Sequence, residues 1–117
     1  MKHYALIFQA TRTFTPEEQK QRPVDIAGWV KKVTDMGITL DPRNFGDTLA
    51  SFALEDSKVV SRNGESGPKT ATVVYFDCPS SEQAVDIARI HPALQYGVTV
   101  EVREWSSPRE LALTEAR

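Results

Sequence analysis

The sequence predicts an α+β domain in which two helices lie against one antiparallel sheet. Three observations carry that prediction. Thr70 to Asp77 (Thr-Ala-Thr-Val-Val-Tyr-Phe-Asp) is β-branched and aromatic, the composition of a buried strand. Val98, Val100 and Val102 alternate with Thr99, Glu101 and Arg103, as a half-buried strand requires. Ile26, Trp29, Val30, Val33 and Met36 recur at helical spacing on one stripe, with Lys31, Thr34 and Asp35 opposite. The 117 residues suffice for one core and not for two of ordinary size.

Each element has its own local signal. Lys2 to Gln9 is rich in Tyr, Leu, Ile and Phe and reads as a first strand. Thr15 before Pro16, with acids behind it, starts a helix. Pro23 interrupts the run, which predicts a short turn or helix at 16–21 and the main helix at 23–36, ended by Gly37 at the position where a positive φ is cheap. Asp41-Pro-Arg-Asn-Phe-Gly is turn chemistry; Thr48 to Leu54 and Lys58 to Ser61 read as a hairpin around Glu55-Asp-Ser, and 63–68 as a second loop. Ser80 with Gln83 forms a capping box for a helix whose Ala84, Ile87, Ala88 and His91 share a face until Pro92 stops it. Residues 1–105 form the domain, and 106–117, with Ser107-Pro108 ahead of Glu110, a tail read as a short helix. Val73, Phe76, Ile87, Val100, Val30 and Val33 are the expected core.

Composition narrows the partners. Fourteen Lys+Arg against 16 Asp+Glu give a net charge of -2, without the basic excess that nucleic-acid binding needs. Apolar runs are too short to cross a bilayer, so no membrane is expected. A lone Cys78 excludes an internal disulfide and a four-thiolate zinc site, and suits a cytoplasmic protein. Its neighbour Asp77 would raise the thiol pKa, which makes Cys78 a poor nucleophile. His3, His91 and Cys78 fall at no paired metal-ligand spacing, and no residue pattern calls for a cofactor.

The order β-α-ββ-loop-β-α-β is that of a ferredoxin-like split βαβ. With both helices on one side, the second sheet face needs a partner, and closure on a second copy would make a dimeric barrel enclosing a pocket. If Val98, Val100 and Val102 point under the helices, then Glu101, Arg103 and Trp105 point to the open face.

The opening Met-Lys-His-Tyr-Ala-Leu-Ile-Phe, the pattern Ser80-Ser-Glu-Gln-Ala with Ala88 and Pro92, and Gly97 followed by Val100-Glu-Val-Arg103 resemble the YCII-related proteins and their DGPF-containing branch over residues 2–105. The resemblance implies a ferredoxin-like fold paired into a dimeric α+β barrel. Two departures matter. Ser66-Gly67-Pro68-Lys69 stands where the DGPF motif would be. In compact family members a histidine follows an Arg-Pro pair at the first helix, and an aspartate precedes the proline after the second. Here Asp25 follows Arg22-Pro23-Val24 and His91 precedes Pro92, so the two types exchange places and the resemblance implies a dyad of His91 with Asp25.

Such a dyad would make His91 a proton carrier with a raised pKa and Asp25 its orienting carboxylate. The plainer alternatives are a helix-end histidine and a first-turn acid favoured by the helix dipole. Arg103, with Glu101 and Trp105 on the open face, is the expected anchor for a carboxylate or carbonyl; the plainer alternatives are a solvated polar face and an interface tryptophan. The expectation is thus a homodimer binding a small molecule on the open sheet face with possible acid–base chemistry, against a non-catalytic dimeric binding module.

Overall fold

The computed structural model describes residues 1–46, 49–62 and 70–109. β1 (Lys2–Ala10) is an inner strand with partners on both edges, which suits its largely apolar run. It pairs antiparallel with β5 (Thr70–Cys78) and β6 (Val98–Glu104), and β2 (Asp41–Asn44) adds to the outer edge of β5, in the order β2-β5-β1-β6. With α1 (Pro16–Asp35) and α2 (Ser81–Arg89), this antiparallel α+β arrangement is compatible with a ferredoxin-like fold.

Alternation sorts the side chains. Tyr4, Leu6 and Phe8 of β1 and Val74, Phe76 and Cys78 of β5 join Trp29 and Val33 of α1 and Ala84, Ile87 and Ala88 of α2 in one core, with Val100 and Val102 packed at its margin. The register sets Ala5 opposite Arg103 and Ile7 opposite Glu101, so these residues share the other face, as alternation predicts. Val33, Val73, Phe76 and Ile87 are buried as expected. Val100 is half-buried, and Val30 is 38% exposed and lines a cavity beside α1.

Two local expectations are overturned. α1 is one helix from Pro16 to Asp35, and Pro23 lies inside it. A proline removes one intrahelical N–H, but here the first turn is held independently. Thr15 and Glu18 form a reciprocal capping box, and Arg12 grips both Glu18 carboxylate oxygens at 2.8 and 2.7 Å. Gly37 at φ +86° ends the helix as expected. The second change is that Asp41–Asn44, read as a turn, is an edge strand. Pro42 is tolerated there because an edge strand has a side without a ladder.

The expected hairpin forms as β3 (Ser51–Glu55) and β4 (Lys58–Arg62), joined through Asp56 and Ser57 at φ +50° and +65°, the two-residue turn that suits strand twist. It makes its own two-stranded sheet and does not extend the main one. The second loop, Ser66-Gly67-Pro68-Lys69 within it, and the tail beyond Arg109 lie outside the described residues.

Candidate functional site

His91 closes no α-helix. α2 ends at Arg89, and His91 instead caps a short 3-10 helix, Pro92–Tyr96, with its own side chain: Nδ1 accepts the Ala93 backbone N–H at 3.0 Å. A backbone N–H can only donate, so Nδ1 must be the bare nitrogen and the proton sits on Nε2. The ring is buried, 4.6 Å from the Phe8 ring and 4.5 Å from the Trp29 ring. Burial, with the Arg22 charge adding to it, lowers its pKa to about 4. His91 is therefore a neutral imidazole at physiological pH, with Nε2–H as its remaining polar atom.

The turn that carries it is tied down from both ends. Trp29 Nε1 donates to the Ile87 carbonyl at 2.9 Å, satisfying an orphan acceptor in the last turn of α2. Gly97 closes the 3-10 helix at φ +74°, its carbonyl taking the Thr11 N–H at 2.9 Å and the Thr11 hydroxyl. The positive φ favours glycine there, and a Cβ at Gly97 would also have to displace the Arg12 side chain, which lies 2.8 Å from its position.

His91 borders a cavity of about 380 Å3 between α1 and the helix-facing side of the sheet. Phe8 and Val74 floor it; Phe14, Ile26, Trp29 and Leu40 wall it; Arg22, Asn44 and Thr72 join His91 as its hydrogen-bonding side chains. Arg22 lies over the Phe14 ring at 3.9 Å, and its Nε is buried without a hydrogen-bond partner. Neither Arg22 nor His91 is ion-paired with any described residue in the cavity, whose lining contains no carboxylate.

The dyad geometry does not form. Asp25 accepts from the Tyr96 hydroxyl at 2.5 Å and from Gln21 Nε2 at 2.8 Å, and these bonds, Tyr96 first, lower its pKa. Asp25 thus fastens α1 to the 3-10 helix, and the His91 pKa moves down where the dyad required a rise. The expectation is a cavity on the open sheet face; this one lies on the opposite side, and on the open face a second, more open one borders Asp41, Tyr75, Asp77 and Trp105. The open face carries Arg103 and Glu101, paired with each other at 2.5 Å and both well exposed. Trp105 is there too, stacked on His3 at 4.7 Å and donating from Nε1 to the Tyr4 carbonyl. His3 Nδ1 meets Asp77 Oδ1 at 2.6 Å beneath it. Cys78 is buried, its thiol donating to the Ser80 carbonyl at 3.2 Å, and burial is the first cause of its raised pKa, ahead of Asp77.

Arg22 is the residue that the sequence reading passed over. Its signal was present: positions 22, 26, 29, 30 and 33 form one helical stripe, so a cation stands in line with the apolar face. Asn44 and Thr72 carried no comparable signal, because their meeting depends on β2 being a strand. Among the described residues no three His, Cys, Asp or Glu side chains gather as a metal would require, and no helix is long and apolar enough to cross a membrane. In comparison with known proteins, no family model matches the chain and no curated protein matches it in sequence.

Proposed function

We propose that this protein binds a small organic molecule carrying a carboxylate or comparable oxyanion in the cavity between α1 and the sheet. The observation that carries the reading is Arg22: a guanidinium with a buried, unpartnered Nε in a cavity lined mostly by apolar side chains and by no carboxylate. An unmet buried donor costs free energy that an acceptor on a ligand would recover. His91 supplies a second donor, a neutral Nε2–H held by the Ala93 contact, which suits an oxyanion without competing for a proton.

The same facts favour a binding module over an acid–base enzyme. The His91 Nδ1 lone pair is engaged, its Nε2 is protonated, and Asp25 is committed to Tyr96. Membership of the YCII-related group, pairing into a dimeric barrel and a cytoplasmic setting belong to this reading as proposals. Among the described residues both helices pack on the other side of the sheet, which leaves this face for a partner and supports the pairing.

Calorimetric titration with 2-naphthoate and with its uncharged amide tests the binding site. The acid should bind, and Arg22→Gln should weaken it about 10- to 100-fold, the worth of a charge-assisted hydrogen bond. Equal binding of acid and amide, or an unchanged Arg22→Gln, would overturn the oxyanion reading. Sedimentation of a stable monomer at high concentration would remove the barrel.

A further inference from the structure

The cavity has a second polar element away from Arg22 and His91. Asn44 on β2 and Thr72 on β5 are directly cross-strand, and both line the cavity. The Thr72 hydroxyl donates to Asn44 Oδ1 at 2.9 Å. That bond fixes what the pair still offers: the Asn44 amide N–H groups as donors and the Thr72 hydroxyl oxygen as acceptor. A group that both accepts and donates matches the pair, and a hydroxyl is the smallest that does.

The sheet register gives the distance. Phe8, against which the His91 ring packs, is cross-strand from Thr72, and Thr72 is cross-strand from Asn44. Two inter-strand steps of about 4.8 Å put the Asn44 row roughly 10 Å from the Phe8 row. Between them the floor is Phe8 and Val74, with aromatic walls. Asn44 is exposed and Thr72 half-buried while His91 is buried, so the Asn44–Thr72 pair stands nearer the mouth than His91.

We infer that the ligand is a flat, ring-based carboxylate with a hydroxyl at the end opposite the carboxylate, the Arg22–His91 end taking the acid and the Asn44–Thr72 pair reading the hydroxyl. This rests on the oxyanion reading above and adds the class of ligand that the site selects.

The test compares 6-hydroxy-2-naphthoate with 2-naphthoate by calorimetry on the full chain. The hydroxylated acid should bind about three- to tenfold more tightly, the range of a net hydrogen bond near solvent. Asn44→Ala and, separately, Thr72→Val should each reduce that ratio towards one, whatever each does to the binding of 2-naphthoate itself. Arg22→Gln should weaken both acids alike. If 2-naphthoate binds through Arg22 but the wild type shows no hydroxyl preference, or the preference survives both mouth variants, this inference falls and the oxyanion reading stands. If neither acid binds, both fall together. Circular dichroism of each variant checks that the fold is kept.

Discussion

The two faces of the sheet use charge in opposite ways. On the open face Arg103 is paired with Glu101, Arg43 grips Asp41 at 3.1 Å through two nitrogens, and His3 meets Asp77; the Arg103–Glu101 and Arg43–Asp41 pairs are more than half exposed. Such pairs in water contribute little, because solvent screens them. On the helix face a cation and an imidazole sit against aromatic rings with no acid beside them. A polar atom is informative where it is buried without a partner, as Arg22 Nε is, and by that measure the helix face is the chemically poised one.

The comparison breaks most sharply through packing. Ile87 is 1% exposed in the helix-face core, and Ile87→Ala should cost about 2–4 kcal/mol in denaturant unfolding. A loss under about 0.5 kcal/mol would mean that α2 does not pack on this face.

Trp29→Phe keeps most of the ring and removes the bond to the Ile87 carbonyl, leaving a buried acceptor without its partner. About 1–3 kcal/mol should be lost, and the His91 ring should become more mobile in NMR relaxation. An unchanged midpoint would show that water replaces the indole N–H.

The third test is pH. His91 has a folded pKa of about 4, below its usual 6.5, so the unfolded chain binds this proton more readily. The contribution is therefore present above about pH 6.5 and lost as pH falls towards 4. Between pH 7 and 5 the loss should be on the order of 1–2 kcal/mol, and His91→Gln should flatten that part of the stability profile. An NMR titration of His91 with a midpoint above 6.5 would sink the neutral-donor assignment, and one that Asp25→Asn then lowered would restore the dyad.

The smallest effect belongs to the open face. Arg103→Ala should change stability by less than about 0.5 kcal/mol and leave naphthoate binding intact. A marked loss of binding would return the site to the face where Arg103, Glu101 and Trp105 lie.

Local chemistry was legible where it acts over a few residues. The Thr15 cap, the positive-φ Gly37, the Asp56-Ser57 hairpin turn and the alternation of β6 follow from spacing and residue type. Alternation also correctly assigned Glu101 and Arg103 to one face. The continuity of α1 through Pro23 was not legible, because a capping box and the Arg12 grip outweigh a single missing bond. Nor was β2, whose Asp-Pro-Arg-Asn composition reads as turn until β5 supplies an edge to pair with.

Sequence by itself determined most of the element types, the two-sided sheet and the polar groups that Asp25, His91 and Arg22 have to offer. Tertiary structure alone decided which of these meet. Asp25 and Tyr96 are 71 positions apart and bond because α1 crosses the 3-10 helix. His91 turns its Nδ1 to Ala93 and its ring to Phe8 and Trp29, so burial and a backbone donor, not a carboxylate, set its charge. Residue type fixes what a side chain can donate or accept; only the packing of distant segments fixes whether a partner or water stands within reach.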